Sequence, residues 1–264
     1  MSIVAYAIRT CLGAALVDRT LAEGRVYDSA VQPIAEMIKP GVKPFLVVST
    51  DDEKISFPSK RWELLDADRT INVVVEVAVG GLTEVDVPAE QGSGTALRLD
   101  IPHTDEGLET SLNMIGRQIW REIAVGGPWS DLLKEFACWP REGAVTRGAN
   151  TEQGVRYAAR QYVFECGTIP EPEFGIEPEG PFATLLELMA ADERLAGDVQ
   201  LVRGMIVGET LPDWHRAQVE LGLTNRSYRA LGLGPLFREA GEPVAQRFTL
   251  NRPGRDPLVV QAEP

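Results

Sequence analysis

The feature that most constrains the fold is a run of β-branched side chains in the first third of the chain. From Thr70 to Val79 the sequence is almost continuously apolar, and only Asn72 and Glu76 interrupt it after the first residue. β-Branched residues favour strands, and a strand that does not alternate strictly between apolar and polar positions is buried on both faces. Part of this strand is therefore predicted to lie inside a sheet.

Two helices are predicted to pack on that sheet. Residues 3–22 have apolar side chains at helical spacing and leave Arg9 on the opposite side. Residues 104–124 begin at Thr104 as an N-cap, with acids in the first turn, where the helix dipole favours them. Further strands are predicted at 25–28, 45–48 and 156–166, and a short helix at 129–137. The pattern indicates an α+β, sandwich-like fold, with a mixed, mainly antiparallel sheet flanked by helices.

A change of composition divides the chain. Residues 169–181 are rich in proline and glutamate, which is typical of a semi-rigid linker. We therefore predict an α/β domain at 1–168 and a small, mostly helical C-terminal extension at 182–264. Within the extension, short helices are predicted at 182–190, 199–207, 214–221 and 227–231, and a strand at 246–250.

The charge and the cysteines exclude several classes of protein. A formal net charge of −13 and a pI near 4.7 argue against binding to nucleic-acid phosphates. Cys11, Cys138 and Cys166 lack metal-type spacing and are expected to be free thiols of a reducing compartment. No uncharged apolar run approaches the ~20 residues that a membrane helix needs. A protein of the cytoplasm without a membrane segment is expected.

Catalytic motifs are not apparent in the sequence. The two histidines, His103 and His215, lack a recognisable nucleophile beside them. The glycine-rich stretch 92–95 is short of a phosphate-binding loop. We therefore predict no enzymatic activity, no catalytic or metal-binding residues and no cofactor, with a hydrolase as a minor alternative.

An ordered series of short motifs follows the first helix. They are Arg25-Val-Tyr-Asp-Ser29, Pro44-Phe-Leu-Val-Val-Ser-Thr-Asp-Asp-Glu53, Thr70-Ile-Asn-Val-Val-Val-Glu-Val77, Asp105-Glu-Gly-Leu-Glu109 and Arg156-Tyr-Ala-Ala-Arg160. In this order they resemble the tail-terminator proteins of long-tailed bacteriophages (siphophages) and related prophages. The resemblance covers about two-thirds of the chain and does not extend into its C-terminal part.

The resemblance implies a structural virion protein at the head-proximal end of the tail, assembled in the host cytoplasm. Such a protein forms a homo-hexameric ring that caps the tail tube and joins it to the neck. Its partners would be further copies of itself, the tail-tube protein and a neck or head-completion protein, while DNA only passes through the lumen. A closed ring requires a heterologous contact, in which two different patches of each subunit meet.

Candidate interface residues follow from this expectation. The acidic turn Asp51-Asp52-Glu53 suits a solvated turn better than a metal site, and acidic strand-to-loop segments lie at subunit contacts in the resembled family. Trp62 lies in a polar stretch and is a candidate aromatic anchor, whereas Trp129 and Trp139 are expected to pack in the core. The candidate set is Asp51, Asp52, Glu53, Arg61, Trp62, Arg147 and Glu152.

Two alternatives remain open. Another head–tail connector or neck subunit would share the same ring-forming logic. A DNA-binding regulator would use residues 212–236 as a helix-turn-helix, with Arg226 and Arg229 on its second helix. The acidic chain and the shortness of that helix favour a docking module over DNA binding.

Overall fold

The structure, a computed structural model, is built around one five-stranded sheet. It describes residues 2–29, 44–57, 64–79, 83–86, 95–98, 105–150, 157–208, 220–223, 227, 231, 247–250 and 258–261. The strand order is β1 (Val26–Asp28), β2 (Phe45–Ser56), β3 (Asp68–Val79), β7 (Tyr157–Gly167) and β6 (Trp139–Asn150). Only the β1–β2 pair is parallel. The predicted α+β fold with a mixed, mainly antiparallel sheet is confirmed.

Strand β3 lies at the centre of this sheet, between β2 and β7. Val75 and Val77 on one face are fully buried, and Val74 and Ala78 on the other are nearly so. The prediction that this strand is buried on both faces is therefore confirmed. A further pair of antiparallel strands, β4 (Thr83–Asp86) and β5 (Thr95–Arg98), follows it in the chain.

The structure describes helices α1 (Ile3–Leu16), α2 (Asp105–Val125), α3 (Pro128–Phe136), α4 (Pro181–Ala191) and α5 (Val199–Val207). Helices α1 and α2 pack on one face of the sheet, and α3 to α5 continue this layer by packing on other helices. Helix α1 contacts β2, and α2 contacts β3 and β7. Gly116 permits the close approach of α2 to β7, because a Cβ there would lie 2.1 Å from the hydroxyl oxygen of Tyr162.

The first helix differs from its prediction at its end and on its polar side. It ends at Leu16 and not at residue 22, because Val17 is extended and Asp18 has a φ of 57°. Arg9 was expected on the exposed side but is buried, where it forms an ion pair with Asp28. The pairing offsets part of the cost of burying the guanidinium, and it joins α1 to the first strand.

Strand β6 was not predicted. Its sequence contains Pro140, Gly143 and Gly148 and has little apolar alternation. It forms because it pairs with β7 along eleven positions, from Trp139 opposite Gly167 to Asn150 opposite Tyr157. Tertiary pairing overrides weak local propensity here.

The chain forms two compact units, Met1–Leu211 and Pro212–Pro264. The division therefore falls later than the linker predicted at 169–181. The physical reason is that the apolar side chains of α4 and α5, including Phe182, Leu185 and Ile206, belong to the same core as α1 and β3. In the second unit the structure describes a pair of antiparallel strands, β8 (Arg247–Leu250) and β9 (Leu258–Gln261).

Most of the proposed helix-turn-helix at 212–236, including Arg226 and Arg229, lies outside the described residues. Within the described ranges, no helix is both long enough and apolar enough to cross a membrane.

Candidate functional site

The acidic triplet lies inside a strand rather than in a turn. Strand β2 continues to Ser56, and its register against β3 shifts between Asp51 and Lys54. One extra residue is accommodated there as a β-bulge, with Asp52 at a φ of 47°. Asp51 and Asp52 are exposed. The expected turn is therefore an exposed bulge that presents two carboxylates to solvent.

Glu53 has a different environment from its two neighbours. Its carboxylate lies 2.6 Å from the guanidinium of Arg69, which is nearly buried. Arg69 also pairs with Glu171 at 3.8 Å. Glu171 in turn accepts hydrogen bonds from the Ser2 hydroxyl and, at 3.2 Å, from the Ile3 amide at the start of α1. This network joins the bulge of β2 to the N-terminus of α1, so Glu53 has a structural role within the chain.

Arg147 belongs to a second ion-pair network. It lies opposite Arg160 in the β6–β7 ladder. Glu109 of α2 binds both arginines at 2.7 Å, one through each carboxylate oxygen, and Asn113 accepts a further hydrogen bond from Arg160. The carboxylate offsets the repulsion between two like charges. The side chain of Arg147 nevertheless remains largely exposed.

The structure does not bring the acidic bulge and Arg147 together. Across the sheet, Asp51 is in register with Asn72 of β3, Glu165 of β7 and Glu142 of β6. Arg147 also lies in β6, the edge strand on the far side of the sheet, but five residues beyond Glu142. Strand spacing and rise place them ~14 Å apart across the sheet and ~16 Å along it. Arg61, Trp62 and Glu152 lie outside the described residues.

Sequence reasoning missed an exposed apolar surface between α2 and β6. The ring of Trp120 meets that of Phe164 edge-on, with centroids 5.4 Å apart, and Val145 lies on the same face of the neighbouring strand. Trp120 is 46% exposed and Val145 56%. The helical spacing of Glu109, Asn113, Gly116 and Trp120 was the available signal, since these positions share one side of α2.

The position of Trp139 differs from the prediction. We expected it to pack in the core, but it is 62% exposed at the start of β6. Trp129, which had the same expectation, packs against the core. Trp139 is exposed because β6 is the last strand of the sheet and Gly167 opposite it has no side chain.

The three cysteines lie in surroundings that disfavour their ionised form. Burial raises the pKa of the thiols of Cys11, Cys138 and Cys166, which keeps them protonated near neutral pH. Among the residues that the structure describes, no group of three or more His, Cys, Asp and Glu side chains could hold a metal ion. His103 and His215 lie outside the described residues.

Comparison with known proteins gives no family. No protein-family profile matches the chain, and the curated proteins contain no match to it. The function is therefore inferred from the chemistry of the surfaces of the protein.

Proposed function

We propose that the protein is a structural virion subunit of the tail-terminator type, which forms a hexameric ring at the head-proximal end of a phage tail. The ring caps the tail tube and joins it to the neck. Its function is carried by contacts between subunits, and no bond is made or broken. The proposal includes the absence of enzymatic activity and of a cofactor.

The exposed edge of the sheet is the observation that carries this proposal. From Trp139 to Arg147 every residue of β6 is exposed, and among the strands that the structure describes it pairs only with β7. An edge strand has backbone N–H and C=O groups that can pair with another chain, and soluble proteins usually protect such edges. An exposed edge strand that contains Val145 and lies beside Trp120 is typical of a subunit that assembles with other chains.

The negative charge is compatible with this role. With a net charge of −13, a ring around the tail channel would let DNA pass without retaining it. The partners in this proposal are copies of the same chain, the tail-tube protein and a neck or head-completion protein. Assembly would take place in the host cytoplasm.

Native mass spectrometry tests the proposal directly. The full-length protein is measured alone and with the tail-tube or neck protein of the same virus. We expect a species of six 28.9 kDa subunits, or six copies captured on the end of a tube. A protein that remains monomeric alone and with both partners would contradict the proposal. A hexamer that binds neck protein but ignores tubes would instead identify another neck subunit.

A further inference from the structure

Two surfaces of the first compact unit have opposite charge and expose apolar side chains. The first, which we call the basic patch, consists of Arg117, Trp120, Val145 and Arg147 on α2 and β6. Arg117 is exposed three residues before Trp120, so the two side chains are neighbours on α2. Arg160 adds a further positive charge beside Arg147, on the neighbouring strand. The single negative charge of Glu109 neutralises only one of these two arginines.

The second surface, the acidic segment, spans residues 173–179. Its exposed side chains are Glu173, Phe174, Ile176, Glu177 and Glu179. Phe174 is 67% exposed and Ile176 is 50% exposed. Apolar side chains this exposed within an acidic stretch are candidates for insertion into a partner surface.

The acidic segment has a defined conformation. The Gly175 amide donates a hydrogen bond of 2.8 Å to the Val207 carbonyl at the end of α5. Glu177 pairs with Arg203 on the same helix. The ring of Phe174 lies over Gly208, where an added Cβ would be 2.5 Å from it. A segment held in this way loses little conformational entropy when it binds.

The two surfaces belong to different parts of the unit. The basic patch lies on α2 and β6, and the packing continues from α2 through α3 and α4 to α5, which holds the acidic segment. Two different, complementary patches at separate places on one subunit suit a heterologous contact, the kind that closes into rings.

We infer that the acidic segment of one copy docks on the basic patch of the next copy. Phe174 and Ile176 pack against Trp120 and Val145, and the glutamates face the arginines. The inference rests on the proposed function, since it assigns the contact between subunits of the ring. Charge complementarity of this kind fixes the orientation of partners and weakens as salt is added.

Charge reversal on each surface tests the contact. Arg117→Glu with Val145→Glu makes the basic patch acidic, while Glu173→Lys with Glu179→Lys makes the segment basic. These substitutions are at exposed positions and spare the Glu109–Arg147 and Glu177–Arg203 pairs. Asp66→Lys with Glu135→Lys is the control for the variant of the acidic segment, because it introduces the same charge change at other exposed positions.

We expect each double variant to require at least tenfold more protein for half-assembly than the wild type, as measured by native mass spectrometry. The control should assemble like the wild type. The quadruple variant, in which both surfaces are reversed, should recover assembly, because each contact is again complementary. Recovery also excludes misfolding as the cause of the loss, and circular dichroism checks folding of each variant.

The remaining outcomes separate this inference from the proposed function. If the wild type forms hexamers and both double variants do so equally well, the subunits meet elsewhere and only the inference is overturned. Loss of tube capture with normal ring formation would assign the basic patch to the tube protein, which also overturns it. A wild type that stays monomeric alone and with tube and neck proteins overturns both.

Discussion

Strands β3 and β6 have the same length and belong to the same sheet, yet they differ in almost every other respect. Each has twelve residues, and only β7 separates them. Strand β3 is buried on both faces, whereas β6 is exposed from Trp139 to Arg147. The difference shows that position in the sheet decides burial: the central strand contributes its side chains to the core, whereas the side chains of the edge strand are exposed.

A single pair of residues shows the difference in burial between β3 and β6. Val75 and Val145 both lie opposite Tyr162, one on each side of it, so they share a face and a row of the sheet. Val75 is 0% exposed, and Val145 is 56% exposed. Since the side chain and the row are the same, substitutions at these two positions measure what burial alone contributes to the free energy of unfolding.

The largest change in the free energy of unfolding is expected when an acid replaces the buried valine of this row. Val75→Asp buries an unpaired carboxylate and should lower the free energy of unfolding by about 4 kcal/mol or more. Val145→Asp should change it by no more than about 0.5 kcal/mol, as is usual for exposed sites. Urea unfolding followed by circular dichroism measures both. Equal losses at the two positions would contradict the exposed position of β6.

The approach of α2 to β7 gives an intermediate effect. Gly116→Ala places a Cβ 2.1 Å from the Tyr162 hydroxyl oxygen, and such overpacking should cost about 1 to 3 kcal/mol. Adding Tyr162→Phe removes that oxygen and should restore part of the loss. Gly13→Ala in α1 is the control, since nothing lies within 4 Å of its Cβ and the change should stabilise the helix. No penalty for Gly116→Ala would mean that α2 lies further from the sheet.

The smallest effect is expected where β6 meets α2. Glu109→Gln leaves Arg147 and Arg160 opposed without a neutralising charge and should cost about 1 kcal/mol at low salt. The loss should decrease in 1 M salt, because screening reduces the repulsion. Glu187→Gln, an exposed change on α4, is the matched control. A loss that is independent of salt would show that Glu109 acts through packing and not through charge.

The sequence was most informative where local pattern and burial coincide. The continuous valines of β3 and the helical spacing of Leu108, Leu112 and Ile115 in α2 predicted both elements, because core positions must be apolar in any compact fold. The short helix Val199–Val207 was also predicted with its observed bounds. The packing of that helix against the main unit was not predicted, since periodicity does not identify the partner of an apolar face.

The candidate interface was less predictable for a physical reason. Residue type identified Asp51 to Glu53 as acidic and Arg147 as basic. It could not reveal that Glu53 pairs with Arg69, or that Arg147 shares Glu109 with Arg160. These pairs join residues far apart in the chain. Trp120 was missed because a tryptophan in a predicted helix is usually buried, and Val145 was missed because β6 itself was not predicted.

The sequence by itself determined the fold class, the central strand and the main helices, because these depend on propensity and on the period of apolar residues. The tertiary structure alone decided that β6 is a strand, that the bulge of β2 divides Asp51 and Asp52 from Glu53, and that 169–181 packs with the main unit. These features depend on strand pairing and on ion pairs between distant residues. Each such interaction becomes favourable only when the rest of the fold has brought its partners together.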